Sequence, residues 1–114
     1  MRNLDGLTMF VSATAENGVV GSETLLRFTQ RGPRVAARYA GGRVLRGWLV
    51  GRWDEDILRF RYAQREESST IHGGQSICAV EERADGHLRL IEHFVWTTRP
   101  GSGTNVFDEL PPST

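Results

Sequence analysis

Residues 85–96 read DGHLRLIEHFVW, and the fold is decided there. Asp85-Gly86 reads as a signal for a type I′ hairpin, because both central positions of that turn need positive φ. Behind it, Leu88, Leu90, Glu92, Phe94 and Trp96 fall on one side of the chain. Arg89, Ile91, His93 and Val95 fall on the other. A period of two is that of a β-strand with one face buried. No window of the chain holds a period of 3.6 long enough for a helix.

The same pattern extends outward from this strand. Turn signals recur at Asn17-Gly18, Arg31-Gly32-Pro33, Gly41-Gly42 and Asp54-Glu55-Asp56. They continue at Glu66-Glu67-Ser68, Asp85-Gly86 and Pro100-Gly101-Ser102-Gly103. Between them, Thr24, Leu26 and Phe28 share a face, as do Val35, Ala37 and Tyr39, and Leu58, Phe60 and Tyr62. Evenly spaced short strands with hairpin-length links predict an all-β chain: a single eight-stranded antiparallel up-and-down barrel over residues 1–110. Closure removes the exposed edges that an open sheet must protect. Pro111 and Pro112 end the pattern, so residues 111–114 are expected to form a loose tail.

Composition narrows the chemistry. The 114 residues fit one domain. The formal net charge is zero, which argues against nucleic acid as main partner. No apolar run reaches the roughly 18 residues of a membrane span. Met1 to Gly6 has no signal-peptide core, so the expected compartment is the cytoplasm. All fourteen residues counted as Lys plus Arg are Arg, which excludes lysine Schiff-base chemistry. Three His and the lone Cys78 have no metal-ligand spacing, and no glycine cluster opens a helix to cradle phosphate. Neither a metal nor a cofactor is expected.

Two strands have ambiguous parity. In residues 43–53 a bulged loop sends Leu45, Gly47, Leu49 and Gly51 inward, which is preferred because it leaves Arg46 in water. The other parity buries Val44, Arg46, Trp48 and Val50 and sets an Arg near Glu92. In residues 69–83 one face carries His72, Gly74, Ser76, Cys78 and Val80. The other carries Ile71, Gly73, Gln75, Ile77 and Ala79. Gly73-Gly74 within a strand signals a bulge or the close approach of another group.

Glu92 is the candidate functional residue. It stands in the most apolar strand face, where burying an unpaired carboxylate costs several kcal/mol. Tyr62 and Tyr39 end their apolar faces with hydroxyls that need partners. His72 is a candidate general acid or base, as the residue type suited to proton transfer near neutral pH. Leu26, Phe28, Phe60, Phe94 and Trp96 would line the ligand space. Cys78 reads as an inert core residue. The outward Ile91, Val95, Trp48 and Val50 suggest a homodimer or higher homo-oligomer.

Several motifs together carry a resemblance. They are Glu16-Asn17-Gly18, Ser22-Glu23-Thr24, Tyr39-Ala40-Gly41-Gly42, Gly47, Arg61-Tyr62 and Gly73. They continue with Asp85-Gly86, Leu90, Glu92, Trp96 and Gly103-Thr104. With these the chain resembles a family of small bacterial proteins, often labelled N-acetylglutamate synthase, that is similar in fold to avidin-like and calycin-type barrels. The resemblance covers nearly the whole chain and implies the barrel. Synthase activity does not fit a chain this short without a phosphate-cradling loop, and no avidin-type set of pocket residues is present to imply biotin. The expected function is binding of a small organic molecule in an apolar cavity holding a buried carboxylate. The alternatives are acid–base isomerisation or cyclisation by Glu92 with Tyr62 or His72, and a purely structural oligomer.

Overall fold

Strand alternation in the sequence becomes a ring of antiparallel hairpins. In a computed structural model that describes residues 1–111, the strands are β1 (Thr8–Ala13), β2 (Leu25–Arg31), β3 (Arg34–Gly41) and β4 (Val44–Asp54). They continue as β5 (Ile57–Glu66), β6 (Ile71–Glu82), β7 (Leu88–Trp96) and β8 (Ser102–Glu109). Each pairs with its neighbour in sequence, and β8 returns to β1, so the barrel is closed. The closing register sets Val11 opposite Phe107 and carries an irregularity between Val11 and Ala13. Of the tail expected from residue 111, residues 112–114 lie outside the described residues.

The two ends differ in chemistry. The lower end is an apolar plug in which Met9, Val35, Leu58, Cys78 and Leu90 are buried. Each fully buried side chain of this kind stabilises the fold by about 1.5–3 kcal/mol. The N-terminal segment seals this end. Leu4 is fully buried, its amide donates to Gln30 Oε1 at 2.9 Å, and the Gly6 amide donates to the Phe28 carbonyl at 3.0 Å. Trp53 Nε1 donates to the same Gln30 oxygen at 3.3 Å. The polar interior groups collect at the other end.

Two expectations change. Asn17-Gly18 is not a two-residue hairpin. Residues 14–24 form a loop that folds across the upper end, with Val19 and Val20 buried against the interior. Burial of those two valines requires the chain to cross the mouth rather than turn back at once. Thr24 closes the loop: its hydroxyl donates to the Gly41 carbonyl at 3.0 Å and accepts from the Gly21 amide at 3.1 Å. The second change concerns β4. Gly47 and Leu49 face inward as preferred, but Leu45 is exposed and Val44 is buried. A register shift between Val44 and Arg46 flips the parity at the start of the strand. Arg46 remains in water.

In β6, the face of Gly74, Ser76 and Cys78 points inward. Its register runs without a break from Ile71 to Cys78 against β5. The glycine pair therefore marks a close approach and not a bulge. A Cβ on Gly74 would stand 2.2 Å from the Val95 carbonyl oxygen and 2.5 Å from the Tyr62 hydroxyl.

Candidate functional site

Parity along β7 turns Glu92 into the barrel, where it is 5% exposed. Ser76 from β6 donates to its Oε2 at 2.6 Å, and Asn105 Nδ2 from β8 donates to its Oε1 at 2.9 Å. Both donors are neutral, and no Arg bonds this carboxyl among the described residues. Burial pushes the Glu92 carboxyl up, and the two hydrogen bonds recover only part of that shift.

Tyr62 reaches the same space from β5. Its ring meets Trp96 edge-on at 5.5 Å between centroids, and Phe60 at 6.3 Å. Its hydroxyl is buried and has no hydrogen-bond partner among the described residues. Burial, and then the Glu92 charge, raise its pKa, so the hydroxyl keeps its proton and remains a donor. A buried unpaired donor costs about 1–3 kcal/mol.

A second polar cluster sits at the mouth. Tyr39 donates to Gln64 Oε1 at 2.8 Å, and Gln64 Nε2 donates to Glu66 Oε2 at 3.0 Å. Arg99 closes the chain with a short bond to Glu66, and its guanidinium lies 4.3 Å above the Trp96 ring. Burial pushes the Glu66 carboxyl up, but the bonds from Arg99 and Gln64 and the Arg99 charge outweigh it, so its pKa lies below the ordinary value. Tyr39 fits because β4 supplies glycine opposite it. A Cβ on Gly47 would stand 2.4 Å from the Tyr39 ring.

Between these clusters lies a cavity of about 30 Å³, room for one water-sized group. Tyr39, Phe60, Tyr62, Phe94 and Trp96 supply its aromatic walls. Gln64, Glu92 and Asn105 supply its polar atoms, and Val19 and Val20 roof it. The roof is held by two residues of the cavity itself. Asn105 Oδ1 accepts from the Ala15 amide at 2.9 Å, and Trp96 Nε1 donates to the Asn17 carbonyl at 2.9 Å.

The residues singled out in the sequence divide accordingly. Glu92, Tyr62, Tyr39, Leu26, Phe60, Phe94 and Trp96 surround one cavity. Phe28 is buried but not among its walls. His72 is not brought to Glu92: it sits at the rim, with Nδ1 2.7 Å from Thr98 Oγ1 and its ring edge-on to Trp96 at 6.4 Å. Burial, then the Glu92 charge, pushes the Cys78 thiol well up, which makes it unreactive.

Gln64, Glu66, Asn105 and Arg99 complete the site, and Glu66, which the sequence places in a turn, ends β5 with its side chain buried. Gln64 and Glu66 merely continue the parity of Leu58, Phe60 and Tyr62, and Asn105 shares parity with Phe107, so that signal was present. Arg99 lies in a loop and had none.

The chain matches no curated protein and no solved structure. A family model described as avidin-like protein matches residues 2–110. An eight-stranded meander closed on itself agrees with that match. The chain therefore belongs to the avidin-like protein family.

Proposed function

We propose that the chain binds a small organic molecule in the upper half of the barrel, between Glu92, Tyr62 and Trp96. The unpartnered Tyr62 hydroxyl carries this reading. It is a donor held among aromatic faces with no acceptor among the described residues. A ligand carbonyl or ring nitrogen would satisfy it, while the aromatic walls bury the rest of the molecule. The cavity is smaller than such a ligand, so binding displaces Val19 and Val20 and lifts residues 14–24. Asn105 and Trp96 couple the two events, because each touches both cavity and roof.

A second reading rests on Glu92. A carboxyl with a raised pKa beside a ligand can shuttle a proton, as an isomerase or cyclase requires. Tyr62, not the rim-bound His72, would then be its partner.

Three tryptophans report on three places: Trp96 at the cavity, Trp53 at the sealed end and Trp48 on the outer wall. A panel of small heteroaromatic compounds screened by 1H–15N NMR should yield binders that shift the Trp96 indole and the Ala15 and Gly18 amides. The Trp48 indole should stay in place. A panel that never moves Trp96, or moves only Trp48, rules this reading out.

A further inference from the structure

A net charge of zero conceals two unlike populations of arginine. Five arginines lie off the wall formed by β2–β5, and each meets a carboxylate. Arg2 meets Glu82 at 3.0 Å, Arg43 meets Glu67 at 3.2 Å, Arg89 meets Asp108 at 2.7 Å and Arg83 meets Asp108 at 3.9 Å. Arg99 meets Glu66. The other nine point outward from β2–β5 and are exposed. Among the described residues only one of the nine, Arg59, has a carboxylate partner, Asp54 at 3.3 Å. Asp54 ends β4 and is the only acidic residue on the outward side of these four strands.

Strand register aligns these charges. Arg31 lies opposite Arg34, Arg34 opposite Arg52, and Arg52 opposite Arg59, a row of four across four strands. Arg27 lies opposite Arg38 in a second row, and Arg46 opposite Arg65 beyond it. Like charges set directly opposite are destabilising, so folding alone gives no reason for the arrangement. Thr29, Ala36 and Val50 form an uncharged strip between the first two rows, which Arg61, opposite Val50, closes on β5. The second row continues into Trp48, opposite Arg38, which is 46% exposed and lies 5.9 Å from the Arg46 guanidinium.

We propose that the outer face of β2–β5 binds single-stranded nucleic acid. Its phosphates lie along the row of Arg31, Arg34, Arg52 and Arg59, and a base stacks on Trp48. Guanidinium forks match phosphate oxygens in pairs. At a strand spacing of about 4.8 Å, the row offers a track roughly 14 Å long. Exposed aromatics beside such a track are how sequence-tolerant single-strand binders hold bases. A flexible polyanion follows the curved wall, whereas a flat bilayer would touch only its crest. The net charge of zero, which argues against nucleic acid for the chain as a whole, averages over this wall and the paired groups elsewhere.

The test is fluorescence anisotropy of a labelled oligothymidylate of about 20 nucleotides at roughly 50 mM salt. Binding should weaken with salt at a log–log slope near −3, about −0.7 for each of four phosphates. Arg34→Glu with Arg52→Glu should weaken binding at least tenfold and flatten the slope by about 1.4. Trp48→Ala should weaken it about fivefold or more. Arg2→Glu, which alters a paired arginine off the wall, should leave it unchanged. The oligonucleotide should shift the Trp48 indole and not that of Trp96, which separates this site from the cavity. The positions are exposed, and thermal melting checks that the variants fold. No anisotropy change, or equal weakening by Arg2→Glu, overturns the proposal. So does binding to phosphatidylglycerol vesicles that the oligonucleotide cannot displace.

Discussion

Gly74→Val is expected to destabilise the barrel by about 3 kcal/mol or more, the upper range for forcing atoms into a packed interior. At roughly 4–8 °C per kcal/mol for a domain of this size, the melting temperature should fall by at least about 12 °C. The cause is local and has no easy relief. The added Cβ would meet the Val95 carbonyl oxygen, which belongs to the ladder joining β6 to β7, and the Tyr62 phenol, which Trp96 holds in place. Moving the backbone breaks the sheet, and moving Tyr62 empties the candidate site. Urea unfolding followed by far-UV circular dichroism measures the effect. A loss below about 1 kcal/mol would show that Tyr62 swings away freely.

Glu92→Gln carries the opposite sign. Removing a buried charged group usually breaks a pair and destabilises, but Glu92 has no ionic partner among the described residues. Asn105 can still donate to the new amide oxygen, and the amide nitrogen can donate to the Ser76 hydroxyl. The pH dependence follows from the raised pKa. Below the ordinary value of 4.5, Glu92 is protonated whether folded or unfolded, and the fold carries no ionic penalty. As pH rises past that value the unfolded chain ionises while the folded one holds its proton, so stability drains away. The loss is complete once pH passes the folded pKa. Glu66 and Asp108, whose pKa values are lowered, act in the reverse direction and stabilise at higher pH. The difference between variant and parent therefore isolates Glu92. Melting temperatures should coincide near pH 4 and diverge above it, the variant being higher by about 4–8 °C for each kcal/mol relieved. A variant that melts lower at pH 8 would assign Glu92 a structural role, with no cost to be explained by function.

How much of this was legible depends on parity. Strict alternation in β5 and β7 places every inward residue from Leu58 to Tyr62 and from Leu88 to Trp96, and Glu92 with them. Where alternation breaks, the reading breaks too. The irregularity between Val44 and Arg46 exposes Leu45, and no residue type in that stretch announces it. Asn17-Gly18 is a strong hairpin signal, yet the buried Val19 and Val20 override it, because the barrel mouth is apolar surface that only tertiary structure creates. The arginine wall was hidden for a different reason. Charge along a strand is visible in sequence, but a row across four strands exists only once register is fixed.

We propose that Glu92, a carboxyl without an ionic partner among the described residues, is kept inside the barrel for a ligand. The direct measurement is a 13C NMR titration of the Glu92 side-chain carboxyl in the folded protein, with the resonance assigned by its loss in Glu92→Gln. A midpoint above 4.5 is expected, with a further shift when a compound that moves the Trp96 indole is added. A midpoint at or below 4.5 would mean that Ser76 and Asn105 fully stabilise the charge, and would contradict it.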